Sequence, residues 1–343
     1  MHANFLDGDL KRFWNIFLLN KFMSLIYVFV ILLMVELLYF KIASKFNIVD
    51  KPNHRSSHTA TTIRGGGIIF SIALFLYPLY YGLEYKYILL GLATIAFISF
   101  LDDIKPIANR IRLIFHLVSV ALMFYQLHLF NLPVYWIFLA FVFVIGSINA
   151  INFMDGINGI TGAYALIALS SLLYINTFQF QFIYSNFLIT SILSILVFNI
   201  FNFRTKAKCF AGDVGSVSIA FIIMFIILAL IIKTENLGYL LLLLLYGLDA
   251  VSTIFFRLIR KENIFDAHRS HFYQYLANER NVPHLVVSFF YAAIQLLVNA
   301  VVILYLPKSV PAVLMVVMVS TIIFIIIRFS TEGSKKLFGT KIA

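Results

Sequence analysis

Eleven apolar stretches, separated by short polar loops, govern what this sequence can fold into. They fall near 22 to 40, 67 to 83, 87 to 101, 113 to 130, 134 to 151, 160 to 177, 182 to 201, 216 to 232, 238 to 256, 285 to 306 and 309 to 328. A membrane-spanning helix needs about 20 mostly apolar residues, so each stretch is expected to cross a bilayer. Composition argues for the same solvent. Of the 343 residues 62% are hydrophobic and 12% charged, against about 25% charged in soluble domains. One aqueous core stops growing at about 250 to 300 residues and could not bury so much apolar surface. The expected fold is therefore all-α: a polytopic integral membrane protein of about eleven transmembrane helices. Residues 1–343 form one transmembrane domain, with a leader at 1–21 and a longer polar loop at 257–284. The first stretch is too long for a signal-peptide core and lacks a small-residue cleavage site, so it is expected to be retained. Cys209 is the single cysteine, which excludes a disulfide framework and a zinc site built from several thiolates.

The formal charge of +11 invites a nucleic-acid reading, but the position of the basic residues decides against it. The loops after odd-numbered spans and the C-terminal tail hold 20 of the 26 Lys and Arg. The loops after even-numbered spans hold only Lys86, Lys233 and Lys308. By the positive-inside rule the odd loops and the C-terminus face the cytoplasm, and the N-terminus faces outward. The basic excess is topological.

The unusual polar sequences all lie in those odd loops, so packing the helices gathers them at one membrane face. The loop after the first span runs from Asp50-Lys51-Pro52-Asn53 through His58 to Arg64-Gly65-Gly66-Gly67, combining cations with a backbone able to approach a phosphate, although a basic loop contacting lipid headgroups is the other reading. The third span ends in Asp102-Asp103. Adjacent carboxylates at a membrane boundary repel each other unless a cation or a proton relieves them. The loop after the fifth span contains Asn149, Asn152, Asp155 and Asn158, interleaved with Gly156, Gly159 and Gly162. Glycines opening a helix expose amides that favour an anion, although close helix packing is the other use of small residues in a bundle. The next odd loop reads Cys209-Phe210-Ala211-Gly212-Asp213-Val214-Gly215-Ser216. Here Ser216 is a candidate helix cap, and Asp213 is either a turn acid or a ligand for a cation beside a diphosphate. The last odd loop carries Asp266-Ala267-His268-Arg269-Ser270-His271. If helical, its two histidines share a face. Asp249 lies inside the ninth span, where an ionisable side chain is either functional or a structural anchor.

Taken in order, Asp50 to His58, Leu101 to Asp103, Asn152 to Gly159, Phe210 to Ser216 and His268 to His271 resemble the motifs of the polyprenyl-phosphate N-acetylhexosamine-1-phosphate transferases. This glycosyltransferase family 4 type includes phospho-N-acetylmuramoyl-pentapeptide transferase. The eleven spans and the form His-Arg-Ser-His are more similar to the branch that initiates O-antigen, capsule or teichoic-acid-type polymers. The resemblance implies a bacterial cytoplasmic-membrane enzyme with its active site on the cytoplasmic face. It implies transfer of N-acetylhexosamine 1-phosphate from a UDP-sugar to undecaprenyl phosphate, with release of UMP and a requirement for Mg2+ or Mn2+. It further implies Asp213 as metal ligand, Asp102 as base toward the lipid phosphate, and Asp103 and Asp155 as electrostatic partners. Asn152 and Phe210 would contact the uridine, Asn158 the base or sugar, Lys51 the phosphates, and His268, Arg269 and His271 the sugar. The implied partners are the two substrates and the lipid bilayer, with a homodimer compatible and nucleic acid excluded.

Two positions depart from the family pattern. Asn158 stands where Asp is common, and Lys206-Ala207 stands where Pro-Ala is common, after what looks like one extra residue beyond Asn202. A secondary transporter of a small anionic solute is the rival reading, but transporter sites lie near the midplane between repeats. Here most of the polar sequence sits at one membrane edge and no repeat is evident.

Overall fold

The computed structural model describes residues 3–52, 61–263, 268–305 and 309–339, with side chains from residue 23 onward. Asn53 to His58, Asp266 and Lys308 lie outside the described residues. Helix α1, Ala3–Lys45, is followed by a minimal antiparallel pair, β1 (Val49–Asp50) and β2 (Thr62–Ile63), with Val49 opposite Ile63. The helices α2 (Ile68–Leu76), α3 (Pro78–Tyr81), α4 (Lys86–Ile104), α5 (Asn109–Gln126) and α6 (Val134–Phe153) come next. They precede α7 (Ile160–Phe178), α8 (Ser185–Asn202), α9 (Gly212–Thr234) and α10 (Leu244–Ile259). The chain ends with α11 (Phe272–Asn278), α12 (His284–Tyr305), α13 (Val310–Glu332) and α14 (Ser334–Phe338).

Each expected span has a helical counterpart, and among the described residues nine are long and apolar enough to cross a membrane. The expected second span is instead the broken pair α2–α3. Pro78 supplies no N–H to the helix ladder, and Ile68–Tyr81 at 1.5 Å per residue covers about 21 Å of a roughly 30 Å hydrocarbon layer. The expected fourth span is shifted toward the chain's start. It begins at Asn109, carries Arg110 and Arg112 in its first turn, and ends before a 3-10 turn at Leu129–Asn131. The expected ninth span opens as a 3-10 segment, Leu237–Leu243, before α10.

Helix α9 is the axis of the bundle: every residue from Val214 to Leu230 is buried. A helix apolar all round belongs inside a bundle, and α2, α4, α6 and α7 pack against this one. By contrast α13 buries only Phe324 and Arg328, leaving the rest of its apolar surface for lipid. At the axis, α2 meets α9 where a Cβ on Gly67 would lie 2.3 Å from the Gly215 Cα. Only glycine permits that approach. The contact fixes the start of α9, and with it Asp213, against the loop that carries Arg64.

Candidate functional site

The site is assembled from the end of α4, the start of α9 and the β2–α2 loop. Ile63 forms a parallel bridge with Cys209, the Phe210 amide donates to the Ile63 carbonyl at 2.8 Å, and the Gly66 amide donates to the Phe210 carbonyl at 2.8 Å. The Gly67 amide donates to the Ala211 carbonyl at 3.1 Å. These glycines were expected to approach a phosphate; instead, Gly66 and Gly67 spend their amides joining two loops. Gly212 has φ +70°, and a Cβ there would sit 2.6 Å from Asp103 Oδ2. The chain can therefore turn into α9 directly over the Asp103 carboxylate.

Asp103 caps α9 from outside it. Its Oδ1 accepts the Asp213 amide at 2.9 Å and its Oδ2 the Val214 amide at 3.0 Å, satisfying two of the helix's orphan donors. Ser216, the residue proposed as cap, sits one turn inside the helix. Its hydroxyl lies 2.8 Å from the Gly212 carbonyl and 2.5 Å from Asn152 Oδ1, tying α6 to α9. The Asn152 oxygen expected to meet uridine thus faces Ser216 here.

The adjacent acids are relieved by two arginines. Arg64 Nε donates to Asp103 Oδ1 at 2.7 Å and Arg64 Nη2 to Asp213 Oδ2 at 3.3 Å. Arg112 Nη1, from the first turn of α5, lies 2.9 Å from Asp102 Oδ2, while Asp102 Oδ1 accepts the Ile107 amide at 2.6 Å. Neither arginine was singled out as a site residue from sequence. Their signal was position alone: both lie within one turn of a span boundary on the acidic side.

Asp155 joins the cluster electrostatically, with Asp213 and Arg64 among its charged neighbours. Burial pushes its carboxyl up to about 6, against the hydroxyl bond from Thr161 at 2.6 Å. The glycines that follow Asp155 serve packing: Gly159 donates its amide to Asn202 Oδ1 at 2.8 Å, and a Cβ on Gly162 would overlap the Asn199 side chain. Asn158 is buried, and its Nδ2 donates to the carbonyls of Arg204 at 2.9 Å and Thr205 at 3.1 Å. That amide holds the α8–α9 loop.

The His268–His271 segment precedes α11, so the two histidines do not share a helical face; their rings stack nonetheless, with centroids 5.0 Å apart. Burial holds the His268 imidazole down at about 4, so it is neutral near pH 7. His271 stands next to Asp249, which proves to be the structural anchor of this segment. The Asp249 carboxylate meets His271 Nδ1 at 3.3 Å, the amides of Phe272 and Tyr273 at 2.9 and 3.2 Å, the Thr253 hydroxyl at 3.2 Å and the Tyr291 hydroxyl at 2.7 Å. The segment also meets α6, through Phe153 beside His268 and through the Tyr273 hydroxyl donating to the Phe153 carbonyl at 3.0 Å. Arg328 of α13 completes the hold, donating to the Ser270 carbonyl at 2.9 Å. Arg269 lies in the same half-buried stretch, Lys51 is exposed just after β1, and Phe210 is half-buried three residues before Asp213. Cys209 donates its thiol to Glu36 of α1 at 3.8 Å.

Asp213 is the reachable acid: its side chain is 20% exposed, against 8% for Asp102 and 0% for Asp103. Among the described residues no three His, Cys, Asp or Glu side chains form a ready cation cage. The residue here that could serve a cation held by one or two carboxylates together with phosphate oxygens is Asp213. Four carboxyl groups, Asp102, Asp103, Asp155 and Asp213, stand against the two guanidinium groups that touch the cluster.

Residues 85–231 match a family model described as Glycosyl transferase family 4. The match takes in both acids of α4, Asp155 and the start of α9, and leaves out Arg64 and the His268–His271 segment. A comparison with curated proteins finds no match.

Proposed function

We propose, from the premise that this chain belongs to glycosyl transferase family 4, the family of phospho-N-acetylmuramoyl-pentapeptide transferase and polyprenyl-phosphate hexosamine-1-phosphate transferases, that its donor is a UDP-N-acetylhexosamine and its acceptor undecaprenyl phosphate. At the coarser level the family supports a phosphosugar transferase acting on a polyprenyl phosphate. The product would be a lipid diphosphosugar for a cell-surface polymer of the O-antigen, capsule or teichoic-acid type, made at the cytoplasmic face of a bacterial inner membrane.

One observation carries this reading: four acids from three separate segments meet at one end of an apolar bundle, with Asp213 exposed enough to receive a ligand. A charged nucleotide arriving from water and a phosphate on a lipid chain can meet only at such an edge. In the reaction an acceptor phosphate oxygen bonds to the sugar-proximal phosphorus as the bond from that phosphorus to the bridging oxygen breaks, and UMP departs. The acceptor phosphate is largely ionised at neutral pH, with a second pKa near about 6, so positioning and charge neutralisation account for most of the work. Magnesium, when bound, would supply neutralisation of the diphosphate. Asp213 would hold it, and Asp103 fixes Asp213 through the backbone. Asp102, steadied by Arg112, would act as base toward the acceptor phosphate, taking the proton from the fraction that still carries one. Lys51, His268, Arg269 and His271 would receive phosphate and sugar, with Phe210 and Asn152 on the uridine side.

The deciding experiment gives purified protein undecaprenyl phosphate, MgCl2 and a panel of UDP-N-acetylhexosamines, and follows UMP. Release that requires both lipid and magnesium supports the reading. Absence of UMP with every donor, from folded protein, would remove it.

A further inference from the structure

Arg64 does two things at once. Its Nε is bound to Asp103, a carboxylate already committed to the start of α9, while its Nη2 reaches the exposed Asp213 at 3.3 Å. The first contact is short and wholly buried on the acid's side. The second is longer and lies at the open edge, and among the described residues Nη1 has no hydrogen-bond partner. The Arg64 side chain is 35% exposed, so one fork of a phosphate-shaped guanidinium faces the space beside Asp213. The backbone below it cannot drift. The Arg64 carbonyl accepts the Tyr39 hydroxyl at 2.6 Å, its amide donates to the Ile48 carbonyl at 3.1 Å, and the following glycines are zipped to Phe210 and Ala211.

Arg64 Nη2 lies against Asp213 Oδ2, so a cation docking on that oxygen competes with the guanidinium. From this geometry we infer that Arg64 is a substrate-phosphate-binding residue that pairs with Asp213 only while no phosphate is present. On binding, its Nη edge moves from Asp213 to a phosphate oxygen, its Nε stays on Asp103, and Asp213 is released to the cation. This rests on the proposed function for the identity of the phosphate, which is either the diphosphate of the nucleotide or the monophosphate of the lipid. The consequence is thermodynamic. Cation and phosphate help each other onto the protein through Arg64, and coupling of this kind is reciprocal.

The test measures Mn2+ binding to the full-length purified protein by calorimetry, alone and with saturating UDP or undecaprenyl phosphate. In wild type, Mn2+ alone should bind weakly and tighten with one of the two phosphates. Tightening by UDP assigns Arg64 to the donor, and tightening by the lipid assigns it to the acceptor. In Arg64→Gln, Mn2+ alone should bind about fivefold or more tightly than in wild type, and the phosphate should no longer add to it. Arg64→Lys keeps the charge but not the fork; it should match wild type for Mn2+ alone while losing most of the coupling. Mn2+ binding to Arg64→Gln no tighter than to wild type would overturn the inference, as would undiminished coupling in both variants. If Arg64→Gln does not fold, undiminished coupling in Arg64→Lys alone overturns it. Failure of the proposed reaction registers separately, as no UMP release from a wild-type protein that still shows the Mn2+ difference.

Discussion

The Asp103 carboxylate holds the Asp213 backbone: the side chain at the end of one helix caps the helix that begins with the other, across 110 residues of sequence. Two acids that look alike in the sequence therefore divide the work. Asp103 is fully buried and spends both oxygens on amides, whereas Asp213 keeps an exposed carboxylate.

That division predicts opposite phenotypes. Asp103→Asn leaves one acceptor oxygen for two amides and puts an NH2 against one of them. Breaking such a buried charged contact costs roughly 3 to 5 kcal/mol, so thermal melting in detergent should fall clearly. Asp213→Asn, at a partly exposed carboxylate with one longer contact to Arg64, should lower melting far less than Asp103→Asn, yet abolish transfer. Equal loss of stability in the two variants would contradict the division.

Asp155 gives a pH signature. In the folded state its carboxyl titrates at about 6, raised by burial from the ordinary 3.8. Between these values the folded chain keeps a proton that the unfolded chain has released, so stability falls as pH rises through the window and levels off above it. The penalty is thus absent below the lower value and complete above the upper one. Asp155→Asn still accepts the Thr161 hydroxyl and carries no charge. Melted without divalent cations, it should gain stability over wild type at pH 7.5 and little at pH 3.5. A gain independent of pH would show that the buried charge is not its cause.

Asp249 should be needed for the His268–His271 segment. It accepts from two amides, two hydroxyls and His271 Nδ1, and Asn offers one oxygen where five donors converge. Asp249→Asn should lower the melting temperature and raise the donor KM by tenfold or more, with the Mn2+ affinity at Asp213 unchanged. An unchanged KM would separate the segment from donor binding.

The gathering of the chemistry at one end was legible because polar sequence is conspicuous in an apolar chain: Asp102-Asp103 and Gly-Asp-Val-Gly-Ser have no place in lipid. Which group each polar atom meets was not legible. The pairs Arg64–Asp103, Glu36–Cys209, Asn158–Arg204 and Asp249–Tyr291 join residues 39 to 173 apart, and no local periodicity records such contacts. For the same reason glycine amides that looked open to an anion prove to be occupied by neighbouring loops. The break at Pro78 did have a local cause, masked by the apolar residues on both sides of it.

Asn158 shows how a partner changes an expectation. As a substrate contact, its replacement by Asp would alter donor affinity several-fold. In the folded protein its NH2 is shared by the Arg204 and Thr205 carbonyls, its backbone carbonyl accepts the Ser288 hydroxyl at 2.8 Å, and the side chain is buried. Asn158→Asp replaces two donated bonds with a carboxylate facing two carbonyl oxygens. Each lost partner costs about 1 to 3 kcal/mol where the group stays buried, before the repulsion is counted, so the loop between α8 and α9 should open or the carboxyl should take up a proton. The expected outcome is a large drop in melting temperature at pH 7.5, partly recovered at pH 5, where a protonated carboxyl again donates one bond. Loss of activity should follow the loss of fold, with KM for the donor near wild type in whatever fraction remains folded. A stable Asn158→Asp protein with a several-fold change in donor KM would restore Asn158 to the substrate.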